Sequence, residues 1–304
     1  MIDQQFDVTA IQSVNFGVRL RPTGQMYFVP SDVATKDALS SILVDTIAAF
    51  NVVPTPWESH DISEEYGTRR RLYCDRSDDL MAYMSAIFDA GALGDLTNLD
   101  EHIADVDFYF AEFMDNKGGR LVGVKKATRL KGAVRSRNRL IRLVDDSLTL
   151  IQEEVLRLDN DYDALITDLN VFIFNLRSFE YLSNLVEQVA ASASSKVQII
   201  HDAVTFLDLS RIKEDIAKHP RMARNAASIA KRADLGLFRR DRIEALAAQH
   251  GIRFHEENGR LKCRRVDEAK LLEILDARRY HLDLADNGGD PYRASARQKV
   301  SSGD

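Results

Sequence analysis

Residues 106–126 read VDFYFAEFMDNKGGRLVGVKK. The run 106–114 is dense in Phe and Tyr, which favour a pleated, half-buried surface. Asn116-Lys117-Gly118-Gly119 supplies a tight turn, and Arg120–Lys126 returns as a second apolar-rich run. Two such runs joined by a short turn predict an antiparallel hairpin. That hairpin sets the fold class: an antiparallel sheet with helices packed against it.

Upstream, Met26–Val29 is a short apolar run closed by Pro30, which suits a strand. Residues 37–50, DALSSILVDTIAAF, place Leu39, Leu43, Ile47 and Phe50 on one helical stripe. Pro54 and Pro56 stop any helix from continuing beyond that stripe. Residues 80–88 predict a second helix, with Ser77 as its N-cap and Gly91 beyond its end. Downstream, residues 155–158 and 171–174 read as strands. Asp159-Asn160-Asp161 lies between them, and Ala164–Ile166 is a further short piece.

From Phe179 the period turns helical, with helices expected over 179–192, 196–207, 211–218, 221–233, 241–250 and 267–280. Pro220 and Gly251 punctuate them, and Asn258-Gly259 between IRFHE and RLKCR is a two-residue hairpin signal. The last helix carries Asp267 and Glu268 in its first turn and Arg278 and Arg279 in its last, which matches the helix dipole. The polar tail after Asn287 reads as loose. The expected architecture is therefore α+β. An antiparallel sheet with flanking helices spans residues 1–178, and a mainly helical C-terminal domain with a small β-hairpin spans residues 179–304.

The chain is 304 residues, 45% hydrophobic and 29% charged, which is ordinary for a globular protein. No apolar run approaches the roughly 18 residues of a membrane-spanning helix. The N-terminus MIDQQFDVTAIQSV lacks the basic start and apolar middle of a signal peptide. Cys74 and Cys263 stand far apart and imply neither a disulfide framework nor a zinc cluster. The expected location is cytoplasmic.

The net charge of −6 hides strong segregation. Residues 117–142, KGGRLVGVKKATRLKGAVRSRNRLIR, hold ten Lys and Arg and no Asp or Glu. A block that repels itself in this way points to a polyanionic partner, with nucleic acid foremost. If residues 128–144 are helical, Lys131, Arg135, Arg139 and Arg142 form one stripe. If residues 134–140 are a strand, Arg135, Arg137 and Arg139 share one side. Lys125, Lys126 and Arg129 complete the expected contact. Arginine suits phosphate because its planar fork donates two hydrogen bonds and stays charged. Few aromatics are interleaved, so duplex binding through phosphates fits better than base stacking on single strands.

A second basic cluster comprises Arg221, Arg224, Lys231, Arg232, Arg239 and Arg240, beside Lys218 and Arg242. Arg221, Arg224 and Lys231 share a helical face with Ser228 between them. Helix 241–250 and the following hairpin faintly resemble a winged helix, with Arg260, Lys262 and Arg264 alternating onto one face.

Catalytic signals are sparse. Glu112 with Asp105 or Asp107 is the pair a metal-dependent nuclease would need, but no acid-x-Lys follows at the partner strand, where Gly123 and Val124 precede Lys125. Asp159, Asp161 and Asp163 alternate in DNDYD, yet the central Gly and terminal Glu of a calcium loop are missing. The seven His show no metal-ligand spacing. No phosphate-binding glycine loop or nucleophile elbow occurs. The expectation is a protein with no enzymatic activity, no metal and no cofactor. The alternatives are a cryptic metal-dependent nuclease, or a scaffold whose charged blocks bind protein or anionic lipid headgroups. A further alternative is a block that is only a solvated surface, or that pairs with the acidic residues 143–170 or with residues 1–116 of a second copy.

Residues 119–182 contain GRLVGVKKATRLKG, then VLRLDNDYDALI, then VFIFNLRSFEYL, and residues 271–295 read LLEILDARRYHLDLADNGGDPYRAS. A strand pair, the D-Y-D-x-L-I step, a short apolar strand and Phe179-Glu180 opening a helix resemble the KwaB family. That family is built on a domain of unknown function and supplies the soluble subunit of the bacterial Kiwa anti-phage system. The likeness covers residues 70 to 299 approximately. It implies an antiviral defence protein that binds DNA and interferes with phage DNA replication. It further implies a homodimer and a small membrane-embedded, KwaA-like partner that recruits it to the inner membrane. No catalytic residue carries over, and Asp283-Leu284-Ala285 departs from the Glu-Leu-Thr of the family pattern.

Overall fold

The computed structural model describes residues 2–52, 56–64, 66, 71–89, 93–129, 141–144, 147–150, 156–282 and 290–294, of which residues 3, 128–129, 141–144 and 147–150 are described by their backbone alone. The chain divides into two compact units. The first comprises residues 1–59 and 71–184, the second residues 60–70 and 185–304.

The first unit is organised on an eight-stranded sheet. Its strands are β1 (Ile11–Leu20), β2 (Met26–Val29), β3 (Trp57–Ser59), β4 (Arg71–Asp75), β5 (Val106–Asp115), β6 (Arg120–Lys126), Ala164–Ile166 and Asn170–Ile173. In space they run β2, β1, β5, β6, Ala164–Ile166, Asn170–Ile173, β4, β3. Every pairing is antiparallel except β3 with β4. The hairpin predicted over residues 106–126 is thus the centre of the sheet, in register from Phe108 opposite Lys126 to Met114 opposite Arg120. Its turn is closed from within. The Asp115 carboxylate accepts from the N–H of Lys117 and of Gly119 at 2.8 and 2.7 Å, while Gly118 takes a φ of +81°.

One helix, α1 (Val33–Asn51), is capped by Asp32, whose side chain accepts from the Thr35 N–H. It buries the expected Leu39, Leu43 and Ile47, and Phe50 meets Phe174 edge-on at 4.2 Å. The second predicted helix forms over Ala82–Asp89 after a 3₁₀ turn, Asp79–Met81, but Asp78 caps that turn instead of Ser77. The Ser77 hydroxyl is already engaged, donating to Asp75 at 2.7 Å. Gly91 lies outside the described residues. Tyr109, Phe113, Leu121, Tyr162, Leu165 and Phe172 join α1 in one apolar cluster. Full burial of each such side chain contributes about 1.5–3 kcal/mol. The Tyr162 ring lies so close over β6 that a Cβ at Gly123 would stand 2.8 Å from it.

The second unit is mainly helical. Of the helices expected over 179–192 and 196–207, the first forms as Leu176–Leu182, still within the first unit, and the second as Leu185–Ala203, which opens the second. The break falls at Asn184, with a φ of +51°. The serines near 194 do not interrupt the long helix, because Ser192 and Ser195 donate to carbonyls one turn back. Helices Ser210–Asp215, Pro220–Ala230 and Arg240–Gln249 follow. Asn258 and Gly259, at φ +53° and +77°, turn the predicted hairpin Phe254–Glu257/Arg260–Cys263.

The last helix is shorter than expected, Glu268–Leu275, because Ala277 adopts a φ of +54°. Arg278 and Arg279 therefore lie beyond the helix and complement no dipole. Arg278 pairs with Asp276 and Arg279 with Glu273. Part of the tail is ordered against expectation: Asp290–Arg293 pairs with Arg279–Leu282, and Tyr292 stacks on Tyr280 at 5.6 Å. No helix among the described residues is long and apolar enough to cross a membrane.

Candidate nucleic-acid interface

The basic block occupies an excursion from the middle of the sheet. β6 ends at Lys126, and its neighbour begins at Ala164, opposite Val124. Residues 127–163 leave and return at that one end of two adjacent strands. Thr128–Arg129 pairs with Leu156–Arg157 on the way out, and Ile141–Val144 pairs with Ser147–Leu150 further on. These strands replace the ends of the helix considered over residues 128–144. Lys131, Arg135, Arg137 and Arg139 lie outside the described residues, as do the side chains of Arg129 and Arg142.

Lys125 is placed inward and does not join a surface. Its ammonium bonds Asp161 at 2.5 Å and Asp163 at 3.1 Å, and its side chain is only 11% exposed. Burial alone would lower its pKa, but the two carboxylates outweigh that and hold it charged. Asp163 also accepts the Lys126 N–H at 2.9 Å, and burial pushes its carboxyl above the usual range. Lys125 is thus corrected from a phosphate contact to a structural ion pair. Lys126, the next residue, alternates to the exposed side, with its ammonium 3.9 Å from the centroid of the Tyr181 ring.

The three aspartates of DNDYD have separate tasks. Asp159 pairs with Arg157, and its backbone N–H donates to the Tyr109 hydroxyl. Asp161 and Asp163 hold Lys125. With Asn175 and Ser178 these residues line a cleft of about 660 Å³ in which carboxylates and cations alternate. Among the described residues no group of three or more His, Cys, Asp or Glu is placed to hold a metal ion.

The acids of the nuclease alternative are also engaged. Glu112 takes Arg120 at 2.6 Å and Asn15 at 3.0 Å. Asp107 takes Arg19 at 2.5 Å and also meets Arg21 and the Tyr181 hydroxyl. At about 3.3 Å of rise per strand residue the two stand roughly 16 Å apart along β5, too far to share one ion. Asp105 sits in the turn before the strand, further still from Glu112.

The second basic cluster is largely neutralised within its own unit. Arg232 pairs with Asp234 and Arg239 with Asp241, both at 2.7 Å. Arg240 reaches Glu256 at 2.6 Å and Glu244 at 3.4 Å, and Arg221 reaches Glu273 at 3.7 Å. Ser228, on the face that Arg221, Arg224 and Lys231 share, is buried and donates to Asp61. That face meets protein acids. The basic side chains of the hairpin behave alike: Lys262 pairs with Glu257 and Asp208, Arg264 with Asp267, and Arg260 meets the His201 ring.

Sequence reasoning misses Arg19, Arg21 and Tyr181. Arg19 and Arg21 belong to the acidic first third of the chain, and Tyr181 is 55 positions from Lys126. Only the cross-strand register aligns Arg19, Phe108 and Lys126 in one row over β1, β5 and β6.

A family model described as "Kiwa protein KwaB-like" matches residues 103–284, a stretch that takes in the hairpin, the excursion and every position of both basic clusters. No curated protein and no solved structure matches the chain.

Proposed function

The chain belongs to the Kiwa KwaB-like family, and on that premise we propose that it serves anti-phage defence as a non-catalytic protein that grips duplex DNA by its phosphates. The observation that carries this reading is the run of bases in residues 117–142 with no acid among them. The paired state of Lys125 and of most of the second cluster narrows the contact to Lys126, Arg129, Lys131, Arg135, Arg137, Arg139 and Arg142. Occupying the duplex then hinders phage replication by steric exclusion, which needs neither metal nor nucleotide. A homodimer doubles the contact, and a membrane-embedded partner of the KwaA kind brings it to the inner membrane. The nuclease alternative has no observation in its favour, since Glu112, Asp105 and Asp107 do not converge.

Five phosphate contacts give a log–log salt slope of roughly −4.5, at about −0.9 per contact. The test is a gel shift across salt with the wild type and an Arg135/Arg137/Arg139→Glu variant. Binding lost in the variant supports the assignment, and equal affinity overturns it.

A further inference from the structure

We propose that the polyanion contact extends from the basic block onto the folded end of the sheet, where Arg21 binds phosphate beside Lys126 and Tyr181 positions both cations. The inference rests on the DNA-binding reading above and deepens it. The cations meet one phenol: the Arg21 guanidinium is 3.4 Å from the Tyr181 hydroxyl, and the Lys126 ammonium lies over its face at 3.9 Å. The ring is itself fixed, because its hydroxyl donates to buried Asp107. Arg21 is fixed at its backbone, with its N–H donating to the Asp105 carbonyl at 2.8 Å.

Charge is unbalanced in this contact set, unlike the second cluster. Asp107 is satisfied at close range by Arg19, which is mostly buried, and by Tyr181. Arg21 reaches the same carboxylate only at 3.4 Å, longer than the usual 2.7–3.2 Å of a nitrogen–oxygen bond. Its side chain is 56% exposed. It can turn to a phosphate without stranding Asp107, because Arg19 stays in place. Arg177 is exposed one turn before Tyr181 on helix Leu176–Leu182.

Fluorescence anisotropy with a short labelled DNA duplex, over a salt series, tests this. Arg21→Gln is expected to reduce the salt slope by about 0.9, and Arg21→Lys to retain it. Tyr181→Leu should weaken binding several-fold, while Tyr181→Phe, which keeps the ring under Lys126, should lose less. Arg239→Gln, removed from an existing ion pair, should change nothing. An unchanged slope and affinity for Arg21→Gln and Tyr181→Leu, with binding still abolished by the Arg135/Arg137/Arg139→Glu change, overturns this inference alone. A wild type that does not bind the duplex overturns the reading beneath it.

Discussion

Replacing Lys125 by Met separates a structural lysine from a DNA contact. The substitution keeps an unbranched stem of similar length and removes the charge between Asp161 and Asp163. Asp161 is 66% exposed and returns to water at little cost, since exposed pairs contribute about 0–1 kcal/mol. Asp163 is 1% exposed and keeps only the Lys126 N–H. Breaking a buried pair costs about 3–5 kcal/mol, and the retained hydrogen bond puts Lys125→Met near the lower end. For a unit of this size about 3 kcal/mol lowers Tm by roughly 6–12 °C.

The pH dependence has a definite sign. Burial already raises the Asp163 carboxyl, so the folded state binds its proton more tightly than the unfolded chain. Stability from this group is therefore lost as pH rises through the raised value. Without Lys125 the shift grows, and the deficit of the variant is full at neutral pH and shrinks on acidification. Asp163→Asn in the Lys125→Met background should recover part of the loss at pH 7. Thermal melts of wild type, both single variants and the double variant from pH 4.5 to 8 read all of this. An unchanged Tm for Lys125→Met, accompanied by a salt slope for DNA reduced by about 0.9, would refute the structural role and restore Lys125 to the interface.

Gly123→Ala places a Cβ 2.8 Å from the Tyr162 ring and should cost about 1–3 kcal/mol through overpacking, read as a lower urea midpoint with DNA affinity per folded molecule unchanged. Arg278→Leu leaves Asp276, fully buried, without its guanidinium and should destabilise the second unit by about 3 kcal/mol; an unaltered melt would show that other groups hold that carboxylate. Burial pushes the Cys263 thiol up to about 11, and Cys74 is buried too, so the native protein at pH 8 should react with a thiol reagent far more slowly than the urea-unfolded chain. Fast reaction of both thiols in the native state would contradict that burial.

The hairpin, α1 and the Asn258-Gly259 turn were legible because each carries a local signal: aromatic density, a 3.6-residue stripe, or a turn dipeptide. The order of the sheet was not, because pairing of β1 with β5 depends on residues about a hundred positions apart. Helix ends were the least legible. Asn184 and Ala277 take positive φ, which the residue type favours for Asn but not for Ala, and they moved one break and shortened the last helix. Lys125 and Lys126 are adjacent and chemically alike, and only strand alternation sends one to Asp163 and the other to Tyr181.

The two basic clusters differ for a reason partly visible in their local charge pattern. In the second cluster each of several arginines has an acid two residues on, as in Arg232 with Asp234 and Arg239 with Asp241, and the structure closes those pairs. Such neighbours are close along the chain, and both of these pairs sit at turns or helix ends where i and i+2 side chains can meet. Residues 117–142 contain no acid, so neutralisation comes from outside the block, as from Glu112 at Arg120 and Asp7 at Lys117. At Lys125 it does, from Asp161 and Asp163, at the root of the excursion where β6 and Ala164–Ile166 are held side by side. Lys131, Arg135, Arg137 and Arg139 lie outside the described residues. On the proposed reading a polyanion supplies the acids that residues 117–142 lack. The first cluster, and not the second, is therefore where charge reversal should abolish binding.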